Sequence, residues 1–166
     1  MTTSTHTVET VSATLTFAVP AATVFAVLAD PANHPAIDGT GWVQAPIDRA
    51  PLTEVGQLFR MDMYHSARAV GDYQVINRVE VLDAPHAIGW VTGQELPDGT
   101  PEFGGWLWRY DLTPSGPAHT EVTLTYDWSA VPGYIRERGI QFPPFGPDHL
   151  INSLHHLADL ATRKSR

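Results

Sequence analysis

Glu121-Val122-Thr123-Leu124-Thr125-Tyr126-Asp127-Trp128 alternates polar and apolar residues without a break. A period of two over such a run predicts an antiparallel strand with one face buried and one in water. The same alternation recurs upstream. Trp106, Trp108, Tyr110 and Leu112 oppose Leu107, Arg109 and Asp111, and Phe59, Met61 and Met63 oppose Arg60, Asp62 and Tyr64 within a strand over 57–65. Tyr73, Val75, Val79 and Val81 share a face against Gln74, Arg78 and Glu80, and Val11, Ala13, Leu15 and Phe17 oppose Ser12, Thr14 and Thr16. Ile88 and Trp90 lie in a strand that ends at the turn Leu96-Pro97-Asp98-Gly99, and Trp42 to Asp48 forms a weaker one. Seven strands are expected.

Helices are expected in two places. Pro20 suits a first helical turn, with Ala21 to Ala29 following. Asp30-Pro31 reads as an N-cap with proline behind it, starting a second short helix through about Ala36. After a bend rich in Gly and Pro, Leu150, Ile151, Leu154, Leu157, Ala158 and Ala161 recur at helical spacing. Asp148 is expected in the first turn of this helix and Arg163, Lys164 and Arg166 at its end, both favourable to the helix dipole. The order is strand, two short helices, six strands, one long helix. This predicts an α+β fold in which a twisted antiparallel sheet grips the C-terminal helix. One helix about 10 Å across cannot fill the concave side of such a sheet, so a cavity is expected.

Composition narrows the function. The 166 residues carry a net charge of −8 and no cysteine. A single domain over 1–166 is expected, large enough to bury roughly 70% of its extended surface. The acidic balance argues against nucleic acid and anionic membranes, and the missing cysteines exclude disulfides and thiolate chemistry. Met1 to Thr10 lacks the features of a signal peptide, and the apolar run Phe17 to Leu28 is too short to span a bilayer. A cytoplasmic protein without membrane insertion is expected. Nothing in the sequence sets an oligomeric state.

Catalytic signatures are absent. Gly39-Thr40-Gly41 precedes a strand rather than a helix, so it reads as a turn and not a phosphate cradle. His149, His155 and His156 are expected on the solvated side of the last helix, away from its apolar stripe, and no metal or cofactor site is expected. There is no Gly-x-Ser-x-Gly elbow. By strand parity Asp62, Glu80, Asp111, Asp127 and Arg109 face outward, which leaves no carboxylate pair inside.

Polar groups on buried faces carry more information. Asn77 sits among Tyr73, Val75 and Val79, Thr92 continues the Ile88/Trp90 face, and Tyr110 and Tyr126 place hydroxyls on apolar faces. A buried amide needs a partner, so Asn77 either fixes the core through an internal hydrogen bond or recognises a ligand. His65, near a strand end, is expected in solvent. The candidate ligand-binding set is Phe59, Met61, Met63, Tyr73, Asn77, Trp90, Trp108, Tyr110, Tyr126 and Leu154, with Phe142 and Phe145 as a gate in the bend.

The element order, Phe25-Ala26-Val27-Leu28-Ala29-Asp30-Pro31 with His34-Pro35 and Asp38-Gly39-Thr40-Gly41, the Asn77 strand, Ile88-Gly89-Trp90 and the Trp106 to Asp111 strand together resemble the SRPBCC superfamily. This START-like, polyketide-cyclase-like group shares the birch-pollen-allergen fold, and the likeness runs from about Val8 to Ala161. It implies a helix-grip fold with a cavity for lipids, polyketides or related molecules. It does not imply one chemistry. Binding of a hydrophobic or aromatic small molecule is the leading expectation. A polyketide cyclase or dehydratase-like enzyme is the alternative, and a protein-interaction module of chaperone-activator or toxin type is a further one.

Overall fold

The computed structural model describes residues 8–38, 41–65 and 71–164. Seven strands form one antiparallel sheet: β1 (Thr10–Phe17), β2 (Val43–Pro46), β3 (Leu58–Tyr64), β4 (Asp72–Asp83), β5 (Ala87–Glu95), β6 (Pro101–Gly116) and β7 (His119–Asp127). Their order is β1-β7-β6-β5-β4-β3-β2, so the first two strands in sequence are the two edges. The expected α+β helix-grip architecture is the one observed.

Helix α1 (Ala21–Leu28) follows Pro20, whose φ of −61° preorganises the turn. The Asp30 side chain accepts the Ala32 N–H at 3.0 Å and starts a single 3-10 turn over Pro31–Asn33. It runs directly into α2 (His34–Ile37). A further helix, α3 (Gly133–Arg136), follows β7, at a place where no helix is expected from the sequence. Arg136 anchors it, donating to the carbonyls of Val131 and Trp128 at 2.9 and 2.8 Å and pairing with Glu9 at 3.0 Å. Helix α4 (His149–Lys164) begins one residue after Asp148 and packs on β1, β7, α1 and α2. Arg166 and Gly39-Thr40 of the glycine turn lie outside the described residues.

The core joins both layers. Phe17, Val19, Val24, Leu28, Val122, Leu124, Leu154, Leu157 and Ala161 are buried in one cluster. Each such large side chain contributes about 1.5–3 kcal/mol relative to exposure. The outer face is polar, with Arg78–Glu80 and Arg109–Asp111 pairs at 2.6 and 3.1 Å. The carboxylates read as outward therefore point outward on these strands.

The strand ladders shift register in four places among the described residues, and two of these shifts bear on the cavity face and the core. Between Val79 and Val81 the β4/β5 register shifts, so Leu82 packs on the core and Val81 leaves the face expected for it. Between β5 and β6, Val91 pairs with Leu107 but Gly93 pairs with Phe103. Gly104, Gly105 and Trp106 stand opposite the single residue Thr92, an excess of two, and Gly105 has φ +93°. The bulge turns Trp106 across Gly104, towards the open side of the sheet.

Candidate functional site

The concave side holds a cavity of about 610 Å³ between the sheet and α4. This is the size of pocket that takes a small organic molecule. Its walls come from every layer: Met61 and Met63 from β3, Tyr73, Val75 and Asn77 from β4, and Trp90 and Thr92 from β5. Trp106, Trp108 and Tyr110 come from β6, Leu124 and Tyr126 from β7, and His149 and Ser153 from α4. The α1–β2 connection adds Leu28, His34, Ile37, Asp38 and Trp42, and the segment through α3 adds Ile135, Arg138, Ile140, Phe142 and Pro144.

Of the expected ligand-binding residues, Met61, Met63, Tyr73, Asn77, Trp90, Trp108, Tyr110, Tyr126 and Phe142 line this space. Phe59, Phe145 and Leu154 stand behind the wall. Phe59 packs edge-on against His34 and Trp90, with centroids at 5.7 and 5.8 Å. Phe145 lies against Trp108, Tyr126 and His149, and Leu154 is enclosed in the core.

Three groups of polar side chains lie along the cavity wall. Asn77 Oδ1 accepts the Thr92 hydroxyl at 2.7 Å, so the internal partner is a threonine across the β4/β5 pair. The Trp42 and His65 rings meet with centroids 4.4 Å apart and planes tilted by 36°. His65 is half-buried and lines the cavity, contrary to the solvent position expected of it. The α1–β2 connection brings Trp42 over the strand end, a contact strand parity does not see.

The third group contains Asp38, Tyr110, His149 and Ser153. His149 is buried, 9% exposed, and not on the solvated face. The arc of α4 enclosed by the curved sheet and the two short helices is wider than its leucine stripe, and His149 and Ser153 extend it by one edge. His155 and His156 are exposed as expected. The His149 ring rests edge-on against Trp108 at 5.8 Å and against Phe145 at 4.7 Å. Its Nδ1 is enclosed without a hydrogen-bond partner, alone in this among the buried side-chain atoms of the described residues. Burial pushes its pKa down, partly opposed by the Asp38 carboxylate and reinforced by His156. Burial pushes the Tyr110 phenol up, helped by the same Asp38, and burial alone does so for Tyr126. All three rings are neutral hydrogen-bonding groups at neutral pH.

His34 plays a different part. Its Nε2 lies 2.8 Å from the Leu28 carbonyl, and since a carbonyl only accepts, Nε2 carries the hydrogen. Burial holds its pKa down, against the raising effects of this bond and of Asp30. The ring closes one wall of the cavity as a structural plate. His34, Asp38 and Trp42 escape period-based reading because their connection has no strand parity. The spacing of Pro31, His34 and Ile37, all buried, is the signal that identifies an inward face there.

No protein-family model matches the chain. A Mycobacterium tuberculosis protein named Uncharacterized protein Rv0088 is 32% identical over 133 residues, which cover 80% of this chain and 52% of that protein. The chain thus spans about half the length of the curated relatives it matches. Among solved structures, protein Ms6760 from Mycobacterium smegmatis superposes with a TM-score of 0.62 at 16% identity, covering 93% of this chain and 92% of that one. The AHSA1 (SPO3351) protein from Silicibacter pomeroyi superposes with a TM-score of 0.60 at 19% identity, covering 93% and 99%. At these identities the likeness establishes the fold: this chain is built as a helix-grip protein.

Proposed function

We propose that the chain is a START-like helix-grip domain of the SRPBCC superfamily that binds a hydrophobic or aromatic small molecule between its sheet and α4. The observation that carries this reading is the 610 Å³ cavity itself, walled by Trp90, Trp106, Trp108, Met61 and Met63 with a few polar groups among them. A core built only for stability closes such a space, because empty volume in a fold is costly. A ligand of about 20 heavy atoms at roughly 0.3 kcal/mol each binds with about 6 kcal/mol, in the range of tens of micromolar.

A second reading, polyketide cyclase or dehydratase-like catalysis, is favoured by one feature. Tyr110 and His149 both lie within the field of Asp38 in an apolar space. Neutral donors fixed there would hold a substrate's carbonyl or enol oxygen as charge develops on it.

Native mass spectrometry of freshly purified protein, followed by denaturation and extraction, tests the binding reading. The expected result is an adduct mass that disappears on denaturation, or, for a clean apo protein, quenching of tryptophan emission by an added aromatic probe such as naphthalene. A clean apo mass together with unchanged tryptophan emission refutes the reading.

A further inference from the structure

Within the cavity, hydrogen-bonding capacity is unevenly spent. Thr92 satisfies the Asn77 carbonyl and Leu28 the His34 ring, but the His149 ring has no hydrogen bond to any described residue. It is held by aromatic contact with Trp108 and Phe145, so its position is fixed while its polar atoms are not used. The Tyr110 hydroxyl likewise makes no hydrogen bond with a described residue, although the side chain is 5% exposed. Both side chains line the cavity, one from α4 and one from β6, and neither the His149 Nε2 nor the Tyr110 hydroxyl is sealed off from it. A bound molecule can pair with these two atoms without displacing any hydrogen bond of the fold.

The geometry points to His149 and Tyr110 as a paired recognition site for one neutral oxygen, a carbonyl or hydroxyl, on an otherwise apolar ligand. This deepens the binding reading and rests on it. With Nδ1 enclosed, Nε2 is the nitrogen left for an occupant. An enclosed lone pair is less costly than an enclosed N–H, so the hydrogen belongs on Nε2 and that atom donates. The Tyr110 hydroxyl donates beside it. The Asp38 carboxylate, fixed by the Val43 N–H at 3.0 Å, disfavours an anionic group at this end of the cavity. A carboxylate-headed lipid therefore fits here less well than an aryl ketone or a phenol.

Two near-isosteric probes, 2-acetylnaphthalene and 2-isopropenylnaphthalene, differ only in a carbonyl oxygen against a methylene. Burial alone favours the alkene, the more apolar of the two. The expected result for the unmodified protein is a preference for the ketone of about tenfold. In His149→Phe and in Tyr110→Phe the ratio should fall towards one or reverse. In the unmodified protein, nitrogen-15 NMR should show the His149 Nε2 resonance moving with the ketone and not with the alkene, a readout that does not depend on either variant folding. Binding of both probes with equal affinity, or of the ketone with an unmoved Nε2 resonance, overturns the recognition site and leaves the cavity reading standing. Binding of neither overturns both.

Discussion

The imidazole of His34 lies parallel to the indole of Trp90, 14° between planes and 4.8 Å between centroids, while its Nε2 donates to the last carbonyl of α1. One side chain thus ties the end of a helix to the middle of the sheet. His34→Phe keeps the ring but leaves the Leu28 carbonyl unpaired, and should cost about 1–3 kcal/mol of unfolding free energy. His34→Ala also opens a hole beside Trp90 and Phe59 and should cost about 2–5 kcal/mol. Urea denaturation of the two variants checks the order, and equal costs would show that the ring packing contributes nothing.

Stability should depend on pH in the mildly acid range. The pKa values of His34 and His149 are both lowered in the fold, mainly by burial. The unfolded chain therefore takes up protons first as pH drops through about 6.5, and stability is lost below that value until the folded residues protonate in turn. Each resisting histidine adds a slope approaching about 1.4 kcal/mol per pH unit. The groups acting on them are Asp30 for His34, and Asp38 and His156 for His149. A separate loss should begin below about pH 4, where Asp48 protonates in the unfolded chain while its hydrogen bonds with Arg60 keep the folded carboxylate ionised. Urea midpoints between pH 7.5 and 5 measure the first effect; a flat profile there contradicts it.

Asn77 and Thr92 should be energetically coupled. Thr92→Val removes the donor to Asn77 Oδ1 and should destabilise by about 1–3 kcal/mol. Adding Asn77→Leu to that variant removes the orphaned acceptor, and the double substitution should be less harmful than the two single costs summed. Simple additivity in a double-mutant cycle would count against the pairing.

Two glycines should respond oppositely to alanine. A Cβ on Gly93 would overlap the Glu102 carbonyl oxygen across the β5/β6 pair, so the strands must separate; about 1–3 kcal/mol should be lost. Gly133, at the start of α3, has nothing within 4 Å of its Cβ position, and alanine there should add about 0.4–1 kcal/mol by restricting the unfolded chain. Thermal melts of the two variants give the comparison directly.

The sheet was legible because alternation is a direct image of which face is buried, and it holds for Phe59/Met61 and for Val122/Leu124/Tyr126. It failed where a bulge inserts an extra residue, as at Val81 and Leu82, since nothing in those side chains announces the slip. Helix α3 is too short to show a period. The site was legible to the extent that it rests on strands. His149 is hidden from such a reading because the buried arc of α4 is wider than its leucine stripe. Asp38 and Trp42 carry no periodic signature, because their direction is set by tertiary contact alone.

The strand order has a consequence for synthesis. Thr10 pairs with Asp127 and Phe17 with Thr120, so the partner of β1 is the last strand made. While a ribosome is still translating β2 to β6, β1 has an apolar face and an open edge with nothing to receive them. Closing so long a loop is slow, because most of its entropy must be lost before any pairing repays it. A chain that stalls before Asp127 leaves that strand unpaired, and such a fragment is the one a cell must hold in solution or destroy.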